Sequence, residues 1–591
     1  MEAMGVLVRP QQLGYGTKGG AEAVVHATRA FLEHDSTCQV LLKLDFRNAS
    51  NTLFRDRLLQ EVLRLLSEFF PFVYQLYRQP SNLLYGEHVL QSACSVQQGD
   101  PLGPLLFCLA TRSLSKSLTS PFNLWYLDDA TLGGTLEQVS ADLQTVISAG
   151  AALGLQLNMS KCEVFAFGET VRERTPAIAK MKVQCPGILL PESHSLTLLG
   201  APLFPEAIPK VLDGKTALAE LMTLRLEKIS SHQALFLLKS CLSIPKLLYV
   251  LRCSPAYKCQ QSLRHFDDAI RSCAAKIANI DMNDDTWRQA SLPVANGGLR
   301  LRCAAELALP AYLASVHAAH HLVSQIVPEA DLDGVTAEGI TLWSAICDVE
   351  PPPSLMRSLR KMWDTPIVER QFRVPLEQST PTEKARLHAV SSKESGAWLD
   401  ALPVSVLGNL LDDNCFRISV GLRLGAKLCE PHACRCGVQV DGLGRHGLAC
   451  KNSAGRHSRH DALNDIIHRA LTSCQVHNIR EPNGLLRDDG RRPDGLTLVP
   501  WCQGKALAWD VTVVDTLGQT YLQGSTERVG FAANQAEEKK RSKYVELEGR
   551  YLFCAVGFET FGVFGNEARD LIQKIGKKIM DRTGEPRSLS S

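Results

Sequence analysis

The stretch NLWYLDDATLGG, Asn123–Gly134, decides how the N-terminal part of this chain is read. Phe122–Leu127 has the pattern of a strand, and the strand breaks at Asp128-Asp129. Neighbouring residues on a flat strand point to opposite faces, so two adjacent carboxylates can serve one site only where a turn reorients the backbone. Gly133 and Gly134 suit the return arm of a tight hairpin. An Asp-Asp pair alone is most often a solvated turn. A third carboxylate changes that reading: Asp45 lies near the end of the apolar strand Cys38–Phe46, in LDFRNASNTLFR, Leu44–Arg55. Three carboxylates from neighbouring strands make a nest for two divalent cations. Mg²⁺ prefers hard oxygen ligands, and a pair of such ions stabilises the attacking and leaving oxygens of an in-line phosphoryl displacement.

Around this centre, helix and strand signals alternate. Leu53–Phe70 has helical spacing and is predicted to stop at Pro71, and Asn82–Ser95 reads as a hairpin turning at Gly86. QQGDPLGPLLF, Gln97–Phe107, is a Gly/Pro loop entering a helix, and such a loop lets the backbone approach a nucleotide closely. Leu136–Leu153 is helical, Cys162–Phe167 and Ser195–Leu199 are predicted strands, and Lys215–Val323 is mostly helical. In chain order, QGDPLGP, YLDD, LGLQLNMSKCE (Leu153–Glu163) and LLGAPL (Leu198–Leu203) resemble the palm of reverse transcriptases of non-LTR retrotransposons. The resemblance continues in CLSIPKLLYVLR, Cys241–Arg252, which looks like a thumb helix, and in LPVANGGLRLR, Leu292–Arg302. It implies that Asp45, Asp128 and Asp129 hold Mg²⁺ (or Mn²⁺), that Gln98, Gly99 and Pro101 shape the template and nucleotide floor, and that Lys161 sits near the departing pyrophosphate. It also marks two departures. Ser50 stands where the family carries Phe or Tyr, a ring that would clash with a ribose 2′-hydroxyl. The fingers region that precedes Gln12 in the family is expected to be truncated, with Arg9 and Lys18 as the nearby cations.

HACRCGVQVDGLGRHGLAC contains Cys434, Cys436, His446 and Cys450, four N/S ligands of the kind a structural Zn²⁺ site needs, with Cys429 or His432 as alternatives for one position. Clusters of this CCHC kind occur at this position in retrotransposons with a restriction-like endonuclease. After it, His457, His460 and Asn464 fall close to one helical face. RRPDGLTLVPWCQGKALAWDVTVVDT then resembles the PD(D/E)xK pattern, with Asp494 and Asp510 as Mg²⁺ ligands that activate water against a phosphodiester. The family's Lys two residues after the second acid is Thr512 here. Lys539 or Lys543 on the following helix could supply it. Lys543, in a KY pair that relatives also carry, is the expected residue, and Lys540 is expected to point elsewhere.

The 591 residues are 45% hydrophobic and 21% charged, an ordinary globular balance, and the net charge of +2 means that any basic surface is local. Nineteen scattered cysteines read as a reduced, intracellular protein, nuclear or cytoplasmic, and Ala304–Val323 is too interrupted to span a membrane. The expected fold is multidomain α/β. A reverse transcriptase palm (α+β) with partial fingers covers 1–205, thumb and post-thumb helices 206–302, a helical linker region 303–428, a zinc-knuckle-like cluster 429–455, and a restriction-like endonuclease-like domain 456–591. The expected function is RNA-directed DNA polymerisation onto a 3′ end made by the chain's own endonuclease. Its partners would be an RNA template, target DNA and deoxynucleoside triphosphates. The alternative is a co-opted copy that binds nucleic acid or nicks DNA without polymerising.

Overall fold

Strand β1, Val40–Leu44 (VLLKL), is nearly all buried, because it runs through the middle of a sheet covered by helices. In the computed structural model, which describes residues 2–34, 38–168, 170–453, 455–485 and 492–584, this sheet has four antiparallel strands. Their order is β2 (Phe122–Tyr126), β3 (Asp129–Gly134), β1 and β4 (Glu163–Ala166). Helix α1 is Gly20–His34. Helices α2 (Arg55–Leu65) and α3 (Phe70–Tyr77) follow β1, and α4 (Gly103–Ser117) and α5 (Leu136–Leu153) complete the set. Leu42 and Leu44 share one core with Leu105, Leu106, Val139 and Leu143. Helix α5 opens on a capping box, Thr135 with Gln138. It closes at Gly154, where φ is 89° and a Cβ would come within 2.4 Å of the Thr52 carbonyl oxygen. Pro71 does not stop a helix as its sequence suggested. It lies in the first turn of α3, where its missing N–H would have had no helical partner.

The chain divides into two compact units: Met1–Lys215 with Leu247–Leu263 and Ala305–Pro366, and Thr216–Lys246 with Arg264–Ala304 and Ile367–Ser591. The 303–428 segment therefore contributes to each of them. The run Ser231–Cys253 is long and apolar enough for a membrane span by length and composition, which the sequence reading did not anticipate. Half of that window is buried, and a π-turn at Leu238–Leu242 interrupts it.

In the second unit, β5 (Asn478–Arg480), β6 (Gly495–Thr497), β7 (Leu507–Val514) and β8 (Leu552–Glu559) lie side by side in chain order. The first two pairings are antiparallel and β7–β8 is parallel, so a crossover joins them. Period-two alternation sorts β7 between two layers. Leu507, Trp509 and Val511 pack with α6 (Gly455–Ser473) and α8 (Asn566–Thr583). Ala508 faces the other way, with Tyr544 at the end of α7 (Phe531–Lys543). Asp510, two residues on from Ala508, belongs to that second layer.

Candidate active sites and a metal cluster

The β2–β3 hairpin is closed by Tyr126 paired with Asp129, which leaves Leu127 and Asp128 as a two-residue turn. Leu44 pairs with Ala130, so Asp45, the next residue, lies across from Asp129. The sheet thus brings together the three carboxylates that the sequence singled out. Leu127 has a φ of 55°, a left-handed conformation that costs a leucine about 1 kcal/mol or more. Buried Gln12 holds it there. Its Nε2 donates to the Leu127 carbonyl at 3.0 Å, and its Oε1 accepts from the N–H groups of Leu127 at 2.8 Å and Gly14 at 2.9 Å. The sequence reading gave Gln12 no role.

The Asp129 carboxyl is pushed up to about 6, first by partial removal from water, then by the charges of Asp128 and Asp45, while Lys43 acts the other way. Asp129 also presents surface to solvent, which screens part of that repulsion.

Ser50 is exposed on the short helix Ala49–Thr52 that follows Asp45. Gln98, Gly99 and Pro101 are exposed in the loop before α4, with Gly99 at a φ of 89°. Asp100 anchors that loop by accepting from the Leu102 N–H at 2.9 Å and from the Tyr77 hydroxyl. Lys161 is exposed in a turn whose Asn158 N–H donates to the Asp45 carbonyl at 2.7 Å, so that turn is tied to the Asp45 strand. Arg9 is engaged locally, with Thr17 Oγ1 at 3.1 Å and the Gly16 carbonyl at 2.8 Å.

In the second unit, Asp494 enters β6 and Asp510 lies on β7. Asp494 Oδ2 accepts from the Val511 N–H at 2.7 Å and faces His460 Nε2 at 3.0 Å. Burial alone would raise the Asp494 carboxyl, but His460 and the Val511 N–H outweigh it and hold it below the ordinary range. His460 is raised in turn, by that hydrogen bond first. Asn464, one turn along α6, is fixed by Trp509 Nε1 at 3.1 Å.

Lys540, not Lys543, meets Asp510. The expectation that Lys540 points elsewhere is thus corrected, while the Lys543 amine lies over the Tyr544 ring at 4.8 Å and 3.3 Å from its hydroxyl, and Lys539 lies over Tyr521. The cause is helical phase. Ala533, Ala536 and Glu537 are the buried face of α7, and Lys540 continues that face. The small residues of FAANQAEEKK were the available signal. Beside this centre is a cavity of about 550 Å³ lined by Lys451, His457, Arg459, His460, Tyr521 and Lys540.

Cys434, Cys436, His446 and Cys450 form a group whose ligand atoms all lie within 4.8 Å of one another, able to hold a metal ion. The Cys434 and Cys450 sulfurs are 3.7 Å apart, and the Cys436 sulfur is 3.1 Å from His446 Nε2. Cys429 donates to the Asp441 carbonyl and His432 Nδ1 lies at the Glu430 carbonyl, so the two alternatives stand outside the group. The Cys434 thiol is held down at about 6, first by the Cys436 backbone N–H, which favours the thiolate.

A family model described as reverse transcriptase (RNA-dependent DNA polymerase) matches residues 1–203. Residues 1–203 are a reverse transcriptase domain. That domain contains the four-stranded sheet and all three palm carboxylates, and it implies the use of divalent metal. Over most of its length, the chain is similar to the retrotransposable element SLACS 132 kDa protein of Trypanosoma brucei gambiense, 22% identical over 564 residues. The alignment covers 90% of this chain and 42% of that protein, so the chain spans less than half the length of its relative. Among solved structures, telomerase from Candida albicans in complex with a fragment of telomeric RNA aligns at 11% identity, covering 52% of this chain and 54% of that one. Its TM-score of 0.20 is too low to carry an argument.

Proposed function

We propose that this chain is a retroelement RNA-directed DNA polymerase that extends a DNA 3′ end, made by its own endonuclease-like site, along an RNA template. The observation that carries the reading is the Leu127–Asp128 turn, which presents two carboxylates opposite Asp45 within a reverse transcriptase domain. The hard oxygens of Asp45, Asp128 and Asp129 suit Mg²⁺ or Mn²⁺. When bound, such ions supply charge neutralisation at the attacking and leaving oxygens. The chain's residues do the positioning: Gln98, Gly99 and Pro101 border the template and deoxynucleotide, Lys161 offers charge to the pyrophosphate, and Ser50 leaves space beside the sugar.

In the endonuclease-like site, Asp494 and Asp510 are the proposed Mg²⁺ ligands. His460 orients Asp494, and Lys540 places a cation where charge develops on the phosphodiester. The basic cavity beside them suits target DNA through its phosphates, so binding weakens as salt rises. The Cys434–Cys436–His446–Cys450 set suits structural Zn²⁺. Two thiolates at about 2.3 Å from a tetrahedral ion lie roughly 3.8 Å apart, close to the separation of Cys434 and Cys450. The proposed setting is intracellular, in the nucleus or cytoplasm.

Primer extension on an RNA template, with Asp128→Ala as control, tests the polymerase. Nicking of supercoiled plasmid in Mg²⁺, with Asp494→Ala and Asp510→Ala, tests the nuclease. Extension that depends on Asp128 sustains the reading. Nicking without any extension sinks it in favour of a co-opted nuclease, which the absence of a ring at Ser50 would suit.

A further inference from the structure

We infer that Gln12 is a positioning residue of the polymerase centre: its side-chain amide fixes the backbone of the Leu127–Asp128 turn and so sets the direction of Asp128 and Asp129. The inference rests on the reading of that centre as the site of nucleotidyl transfer.

The segment around Gln12 runs parallel to β2. The Trp125 N–H donates to the Gln11 carbonyl at 2.7 Å, and the Leu13 N–H donates to the Trp125 carbonyl at 2.9 Å. This backbone pairing ends at Trp125, short of the turn. The Gln12 side chain extends it with an amide that imitates a peptide unit, one donor to the Leu127 carbonyl and one acceptor for the Leu127 N–H. Leu127 lies in the turn beyond the Tyr126–Asp129 pair, so no cross-strand residue satisfies its two polar groups. The orientation of the amide is determined, because Oε1 accepts from two N–H groups, those of Leu127 and Gly14, while Nε2 faces a carbonyl. A flipped amide would set N–H against N–H.

The neighbouring chain is shaped for this approach. A Cβ at Gly14 would come within 2.4 Å of the Leu127 nitrogen. Arg9 pins the following Gly16–Thr17 arm. Gln12 touches no reacting atom. Its effect passes through Leu127, whose left-handed φ decides where the next two side chains point.

The test compares Gln12→Met, which keeps the volume but removes both hydrogen bonds, with Gln12→Glu, which keeps the acceptor and loses the donor. In primer extension with Mn²⁺ as the metal, Gln12→Met is expected to lower kcat by about tenfold to a hundredfold, the scale of a misplaced catalytic group, with KM for the deoxynucleotide within about twofold. The Mn²⁺ concentration for half-maximal rate should rise with it. Gln12→Glu, which keeps the acceptor for the Leu127 and Gly14 N–H groups, should recover part of the loss. Thermal melting establishes that each variant is folded. A Gln12→Met variant with wild-type kcat and Mn²⁺ dependence would show that Gln12 merely fills space, and would overturn the inference. Should the wild type extend no primer, the reading of the function fails separately, and Mn²⁺ binding followed by electron paramagnetic resonance decides on Gln12. Weaker binding in Gln12→Met, compared with the wild type and Asp128→Ala, sustains the positioning role. Unchanged binding, or no Asp128-dependent binding in the wild type, overturns it.

Discussion

Lys540 and Lys543 lie one helical turn apart on α7, yet only Lys540 meets Asp510. Lys540→Ala is therefore expected to slow plasmid nicking by about a hundredfold, the typical loss on removing one charge-stabilising donor, while Lys543→Ala changes it little. Equal losses in the two variants would mean that the lysines serve binding and not a particular atom. His26 governs a different property. Burial, then the charges of Arg29 and Arg252, lower its imidazole from 6.5 to about 3. The folded state thus holds the neutral ring while the unfolded state takes up a proton. Stability is complete above pH 6.5 and is lost as pH falls from there towards 3, by about 3 to 5 kcal/mol in total. His26→Gln should flatten this acid limb in melts followed by circular dichroism between pH 7 and 4. An unchanged limb would place the acid sensitivity elsewhere.

At the scale of elements, the segment around the cysteine cluster has almost no core of its own. Across 429–450, Val440 and Cys450 are the buried apolar residues. A bound ion would supply the stability that so small a core does not. Purified protein should contain about one equivalent of zinc for a single four-ligand site, and Cys436→Ser should lower it. Chelation should raise hydrogen exchange across 429–450 and leave β7 and β8 protected, since those strands pack in their own core. Full protection of 429–450 after chelation would remove the case for a structural ion. The β2–β3 hairpin shows the opposite economy. Its turn is held by hydrogen bonds from a segment more than a hundred residues away in sequence, so its geometry belongs to the sheet and not to the dipeptide.

At the scale of the whole molecule, the acids proposed for polymerisation and those proposed for nicking belong to separately packed units. Asp128→Asn should abolish extension and leave nicking within about twofold, and Asp494→Asn should do the reverse, as expected for sites that share no partners. Loss of both activities in either variant would reveal coupling. The local motifs of the sequence determined much of this molecule: the YLDD hairpin, Asp45 on the strand beside it, and the spacing that gathers Cys434, Cys436, His446 and Cys450 into one group. These are written in short-range patterns of apolar periodicity, turn residues and ligand spacing, which a chain carries wherever it folds. The tertiary structure decided the rest. It chose Lys540 because the phase of α7 against β7 depends on which face packs inward, and it turned Pro71 from a helix stop into a helix start. It also brought Gln12 to Leu127. A contact across more than a hundred residues leaves no periodic trace, because it is set by which segment pairs beside a strand and by the polar groups that a strained turn leaves to be satisfied.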